Sequence, residues 1–95
     1  MNDMANLFKA FSDSNRINII KRLIAGETCG CTLITNMSIS QPTLSYHLKI
    51  LNDLGITKAY KEGTWVKHHV DMDVIDQMVS FLNELKETQA KCGIE

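Results

Sequence analysis

Four helical apolar patterns, two β-prone runs joined across a glycine-bearing tetrapeptide, and one long closing helical pattern predict a mainly α fold with a small β-hairpin. That order is the order of a winged helix-turn-helix with additional N- and C-terminal helices. At 95 residues the chain has the length of one domain, and it buries only about 60–65% of its unfolded surface, so its own core is thin. Its 44% hydrophobic and 22% charged content, with a single proline, belongs to a globule and not to a disordered chain. A single domain over 1–95 is expected.

Each element has its own signal. Met4, Leu7, Phe8 and Phe11 recur at helical spacing and give a first helix one apolar face. Ser12-Asp13-Ser14-Asn15 interrupts it, and Asp13 suits an N-cap because its carboxylate accepts an orphan backbone N–H. The second helix runs through Ile17, Ile20, Leu23 and Ile24 to Gly26, a left-handed stop. A short third helix after Glu27-Thr28 carries Cys31, Leu33 and Ile34. Met37-Ser38-Ile39 turns the chain and Ser40 caps a fourth helix. Pro42 falls in its first turn, where a missing N–H costs nothing. Leu44, Leu48 and Leu51 form its buried stripe, and Leu54-Gly55 ends it. Residues 56–60 and 65–70 read as strands joined across Lys61-Glu62-Gly63-Thr64. Beyond Asp71, helical spacing returns with Val74, Ile75, Met78, Val79, Phe81, Leu82 and Leu85. The expected boundaries are 1–12 and 71–92 for terminal dimerisation helices, 31–52 for the helix-turn-helix and 56–70 for the wing.

The dimer expectation comes from the last helix. Ile75, Met78, Leu82 and Leu85 alternate by three and four as in a helix-pairing seam, widened by Val74 and Phe81. So broad a stripe exceeds what one small core consumes. The two ends are therefore expected to pack together and against a second copy, as a homodimer. The competing expectation is that both simply complete a monomer core.

Charge is sorted along the chain. The formal net charge is −1, yet residues 40–70 carry Lys49, Lys58, Lys61 and Lys67 against Asp53 and Glu62. Residues 71–95 carry six carboxylates against Lys86 and Lys91. Sorting of this kind steers a polyanion more than the sum does, although uneven solvation of ordinary surfaces gives the same pattern. No apolar run approaches the roughly 18 residues of a membrane span. The polar start Met1-Asn2-Asp3-Met4 does not read as a signal peptide. A cytoplasmic protein with no membrane partner is expected. An odd count of three cysteines fits no disulfide framework there. The small size disfavours a catalytic pocket, which leaves a regulatory or binding domain and no enzyme.

The fourth helix has the character of a DNA reader. With Leu44, Leu48 and Leu51 inward, Pro42, Ser45, Tyr46 and Lys49 point outward, and Gln41 and Thr43 lie at the exposed N-terminal end. Gln41 suits an adenine edge, and Thr43 or Ser45 suits a base or a thymine methyl. Tyr46 and Lys49 are placed for the backbone or neighbouring bases. His47 sits beside the buried stripe, where a hydrogen bond that fixes the helix is the first expectation and a DNA contact the second. On the hairpin, Lys58, Lys61 and Lys67, with His68 and His69, are placed to follow a flanking groove and its phosphates. Tyr60 and Trp65 are expected to anchor the hairpin to the body. His68 and His69 are neighbours on a strand, face opposite sides and cannot share one metal ion. The expected partner is double-stranded operator DNA.

Three segments together resemble the ArsR/SmtB family of bacterial metal-sensing repressors. They are Asp13-Ser14-Asn15-Arg16-Ile17, Glu27-Thr28-Cys29-Gly30-Cys31 and Ser40-Gln41-Pro42-Thr43-Leu44-Ser45-Tyr46-His47-Leu48. The resemblance extends from about Leu7 to about Leu85. It implies a dimeric winged-helix repressor that leaves its operator on binding an inducer, with Gln41, Thr43, Ser45 and Tyr46 at the major-groove positions. Cys29-Gly30-Cys31 resembles the Cys-x-Cys of the arsenic-responsive branch, which implies As(III) or Sb(III) as inducer and no organic cofactor.

The thiols support that chemistry and restrict it. Soft thiolates suit As(III), Sb(III) or a soft divalent metal, and thiol pKa values are expected to fall near a helix start. Residues two apart on a regular helix point about 200° from each other. Both sulfurs therefore face one ion only where the backbone is non-helical, a distortion that Gly30 makes cheap. A trigonal arsenic site wants a third sulfur, which in the branch this chain resembles often stands three residues after the second cysteine. Here that position is Ile34. Cys92 is the other candidate third ligand, set against an unengaged tail thiol. The final-helix pattern of the zinc-sensing branch meets only Asp71, Asp73, Glu84 and Glu87, hard donors without histidine, so no zinc site is expected there.

The expected function is a repressor released when a thiophilic ion binds Cys29 and Cys31 and distorts the third helix, which packs on the reading helix. Three alternatives stay open. A repressor of the same fold would sense oxidation of Cys29 and Cys31 or Cys92. A winged-helix module would bind no DNA. A dithiol oxidoreductase would use Cys29 and Cys31, although the βαβ pattern of such enzymes is missing.

Overall fold

Each helix begins where a short polar side chain takes up free N–H groups of the first turn. In the computed structural model, which describes residues 3–89, Asp3 caps α1 (Met4–Ala10) and Asp13 caps α2 (Ser14–Ile24). Cys29 caps α3 (Gly30–Asn36), Ser40 caps α4 (Gln41–Asp53) and Asp71 caps α5 (Met72–Glu87). All five cap residues have extended backbone, so the helix starts are set by local chemistry. Gly26 then ends α2 with φ of 107°, backbone that a side chain would strain.

Between α4 and α5 the chain forms one antiparallel hairpin of β1 (Thr57–Glu62) and β2 (Trp65–Val70), with Thr57 opposite Val70 and Glu62 opposite Trp65. Lys61 and Glu62 join the strand, so the expected four-residue connection tightens to Gly63-Thr64. Gly63 is left-handed (φ 64°) and Thr64 is not, as a type II′ turn requires.

The core collects one face from each helix: Leu7 and Ala10, Ile19, Ile20 and Leu23, Leu33, then Leu44, Leu48 and Leu51, closed by Ile56 and Met78. On α2 the inward face differs from the expected one. Ile19 is fully buried, while Ile17 and Ile24 are 39% and 56% exposed. Arg16 explains the rotation, because it shares one helix face with Ile19, Ile20 and Leu23. Its Nε donates to Ala10 O at 2.8 Å and its Nη1 to His47 Nδ1 at 3.2 Å. A guanidinium has no lone pair, so His47 Nδ1 accepts and Nε2 carries the proton, 4.0 Å from Asp13 Oδ1. Asp13 Oδ1 in turn accepts from Asn15 N at 2.8 Å and Arg16 N at 3.2 Å. One polar clamp thus joins the end of α1, the start of α2 and the middle of α4.

The terminal helices meet through Phe8 and Phe81, whose ring centroids are 5.9 Å apart. Met78 is buried, whereas Met72, Val79, Leu82 and Leu85 remain exposed along α5. Among the described residues no helix is long and apolar enough to cross a membrane.

The clamp makes acid stability partly an Asp13 property. The N–H of Arg16, opposed by burial and helped by the N–H of Asn15, holds the Asp13 carboxyl below its ordinary value. A depressed folded pKa stabilises at pH above the unfolded value, and the benefit disappears as pH falls through the folded one. Urea midpoints of wild type and Asp13→Asn, followed by circular dichroism, are expected to converge over that acidic window. A gap that stays constant with pH contradicts the assignment.

Candidate nucleic-acid interface and thiol groove

The start of α4 is held by a hydroxyl pair. Ser40 Oγ accepts from Thr43 N at 3.3 Å and donates to Thr43 Oγ1 at 2.9 Å, with Pro42 in the first turn. Burial of Leu44, Leu48 and Leu51 leaves Gln41, Ser45, Tyr46 and Lys49 exposed on the opposite side, and Thr43 half-buried. Gln41, Ser45 and Lys49 recur every four residues and form one outward stripe flanked by Tyr46. His47 is separate from them. At 5% exposure its ring belongs to the clamp with Arg16, the hydrogen-bonding role expected first.

The lysines are more committed than their sequence positions suggest. Lys49 pairs with Asp53 at 2.9 Å, Lys58 with Asp71 at 3.3 Å and Lys67 with Glu62 at 2.6 Å. Among the described residues Lys61 has no carboxylate partner within 4.0 Å. The Lys49–Asp53 pair is exposed on both sides and worth about 0–1 kcal/mol, so a phosphate can replace that carboxylate at little cost, while Lys67 and Asp71 are half-buried. Only Lys49 and Asp53, at i and i+4, carried a sequence signal for this.

Tyr60 and Trp65 do not anchor the hairpin. Tyr60 stacks on His69 with centroids 4.7 Å apart and planes 18° apart, and the two rings also share a hydrogen bond. Trp65 stays 58% exposed next to the turn. The hairpin is held instead at its base, where Ile56, Thr57 and His68 are buried.

The cysteine segment leans on the wing. His68 N donates to Thr28 O at 2.9 Å, and Cys29 forms an antiparallel bridge with Lys67. Sequence spacing carried no signal for this contact. Cys29 has extended backbone (φ −92°, ψ 134°) and lies just outside α3, so the helical argument that separates its sulfur from that of Cys31 does not apply. Cys31 N donates to Cys29 Sγ at 3.4 Å. The neighbouring Cys31 thiol first, and then this N–H, hold the Cys29 thiol below its ordinary value. Burial opposes them, and Thr32 N–H and the Lys67 charge assist. Cys29 is half-buried and Cys31 exposed, so neither sulfur is sealed from solute.

Both cysteines open onto a groove of about 370 Å³ that Gln41 and Ser45 of α4 and Trp65 and His68 of β2 also line. Ile34, Leu44 and Leu48 supply its apolar walls. Ile34 thus occupies the wall where a third sulfur would have stood. Cys92 lies outside the described residues. Among the described residues, no three His, Cys, Asp or Glu side chains converge as a metal cluster.

A buried-stripe helix with a polar outward row, preceded by a short helix and flanked by a hairpin, defines a winged helix-turn-helix regulator. Residues 13–58 match the family described as bacterial regulatory protein, arsR family. An uncharacterized HTH-type transcriptional regulator of Methanocaldococcus jannaschii is 42% identical over 82 residues, 85% of this chain and 92% of its own length. An arsenical resistance operon repressor of Staphylococcus aureus is 31% identical over 90 residues, covering 95% of this chain and 86% of its own. A homodimeric winged helix-turn-helix DNA-binding domain from Mycobacterium bovis superposes with a TM-score of 0.70 at 25% identity, over 87% of this chain and 78% of that one. The chain belongs to the ArsR family of transcriptional regulators, and its work is regulation and not catalysis.

The thiol geometry predicts unequal reactivity. With the Cys31 side chain in place Cys29 is more thiolate at pH 7, and thiolate is the nucleophile. Peptide mapping after brief iodoacetamide treatment is expected to find Cys29 alkylated severalfold more slowly in Cys31→Ala than in wild type. An unchanged rate removes Cys31 as the cause.

Proposed function

We propose that this ArsR-family regulator is a dimeric repressor released from double-stranded operator DNA when As(III), Sb(III) or another thiophilic ion binds Cys29 and Cys31. Gln41, Thr43, Ser45 and Tyr46 read the major groove, while Lys49, Lys58, Lys61 and Lys67 meet phosphates. His47 serves by fixing α4, and Cys92 stands as a candidate third ligand. The observation that carries the reading is the shared groove: the two cysteines and the outward residues Gln41 and Ser45 line one space. An ion drawing both sulfurs together alters the wall on which the start of α4 rests.

The required energy is modest. A hundredfold loss of DNA affinity needs about 2.7 kcal/mol of coupling, within the usual 1–3 kcal/mol. The exposed apolar residues of α5 supply the dimer face, and two copies would set their α4 helices about 34 Å apart in successive major grooves. Two free thiols on one groove also favour a second reading, in which an oxidant replaces the ion. A peroxide-induced mass shift that abolishes DNA binding, with no arsenite effect, selects it.

Gel-shift titration on the chain's own upstream DNA tests the main reading. Wild type is expected to release DNA on arsenite addition, and a Cys29→Ser, Cys31→Ser double variant to stay bound. Normal release by the double variant discards the site. Lys61→Ala is expected to weaken binding across all sequences and lower the salt slope by about 1, while Gln41→Ala relaxes preference at one base position by about 1–3 kcal/mol. Sedimentation of wild type as a clean monomer at micromolar concentration removes the dimer.

A further inference from the structure

The thiol groove contains one polar group that nothing so far has used. His68 is 9% exposed, lines the groove beside both cysteines, and has its Nδ1 buried without a hydrogen-bond partner. Its position is set by backbone, because its N–H is the donor to Thr28 O. A charged ring would need acceptors for both its N–H groups, which the sealed Nδ1 lacks, so the ring is neutral. A neutral ring carries one proton. A sealed N–H without an acceptor is the rarer and costlier orphan, so the proton belongs on Nε2, leaving Nδ1 as a bare lone pair. The same fact argues against His68 as a metal ligand through Nε2, since ligating histidines donate their other ring N–H to a partner. What His68 offers the groove is a single fixed donor.

The inducer chemistry supplies something for that donor to hold. Arsenous acid is As(OH)₃, and two thiols can replace only two of its hydroxyls. Two As–S bonds form, two As–O bonds break, and each departing hydroxide leaves as water with one thiol proton. Arsenic stays As(III), and one As–OH remains. Ile34 closes the wall where a third sulfur would stand, and no third donor converges among the described residues. We propose that His68 is a specificity-determining residue of this groove, its Nε2–H donating to the remaining hydroxyl of an arsenic(III) or antimony(III) centre held by Cys29 and Cys31. The inference rests on the two-thiol reading above and gives the third position to oxygen, not to the sulfur of Cys92.

Two arsenicals separate the claims. Arsenite keeps a hydroxyl after binding two thiols, whereas phenylarsine oxide keeps only carbon at that position. Full-length wild type, His68→Leu and His68→Gln are titrated with each, the fold of each variant being checked by circular dichroism. His68→Leu is expected to bind arsenite about fivefold more weakly and phenylarsine oxide within about twofold of wild type. His68→Gln, which restores an N–H donor, is expected to bind arsenite more tightly than His68→Leu. X-ray absorption at the arsenic edge of the wild-type adduct is expected to count two sulfurs and one oxygen. Equal losses for both arsenicals reduce His68 to a wall residue and overturn the proposal. So does an unchanged arsenite affinity, or a count of three sulfurs. Failure of wild type to bind either arsenical instead removes the two-thiol reading itself.

Discussion

A single backbone hydrogen bond, from His68 N to Thr28 O, brings the three working parts of this chain together. Without it the cysteine segment would be a cap on a seven-residue helix and the wing a hairpin held only at its base. With it, the sulfur of Cys29, the inner side of β2 and the start of α4 border one space. The contact is also of a suitable strength. One such bond contributes about 0.5–1.5 kcal/mol net, comparable with the coupling of about 1–3 kcal/mol that the proposed reading asks of a bound ligand. Cys29 is extended and outside α3, and on the proposed reading an ion on its sulfur pulls at the backbone next to Thr28 O.

The opposite side of α4 is built to resist such motion. Arg16 spans α1 and α4 while its backbone N–H meets Asp13. Buried polar groups joined in this way are costly to separate, because each partner would be left unsatisfied. The helix is therefore fixed at His47, while its capped start at Gln41, one turn and a half away, borders the groove. On the proposed reading, a ligand in the groove acts on that start. This division also explains why a histidine stands within a run of otherwise outward polar residues: its ring faces inward and sets the rotation of α4 that turns Gln41, Ser45 and Tyr46 outward.

What the sequence made legible was local in origin. The caps Asp13 and Ser40, the stop at Gly26 and the stripe Leu44, Leu48, Leu51 depend on neighbours within a turn or two, and each stands where spacing placed it. The face of α2 was misjudged because counting apolar residues ignores Arg16, whose bonds to Ala10 and His47 choose the rotation. The anchoring expected of Tyr60 and Trp65 failed for a similar reason, since aromatic bulk does not say which part of a hairpin touches the body. At the site, the Cys-Gly-Cys pair and Ile34 in place of a third sulfur were readable. The place of His68 was not, because it depends on a pairing between segments forty residues apart. Three lysine ion pairs escaped notice as well, two of them formed between residues that only the folded hairpin and the start of α5 bring together.

Those ion pairs bear on how a chain of net charge −1 can meet a polyanion at all. Lys49, Lys58 and Lys67 each hold a carboxylate at the surface, so their positive charge is masked at a distance and their side chains are already partly ordered. At Lys49, exchange of carboxylate for phosphate then loses little, since that exposed pair was worth about 0–1 kcal/mol. Lys67 has a second connection, because it lies across the bridge from Cys29 and its charge favours the thiolate. On the proposed reading, a phosphate that engages Lys67 draws this charge away from Cys29 and disfavours the thiolate that an ion needs, while an ion-bound thiolate competes with phosphate for Lys67. Binding at either site thus changes the cost of binding at the other. Linkage requires the effect to be reciprocal: if the ion weakens hold on DNA, DNA weakens hold on the ion by the same factor.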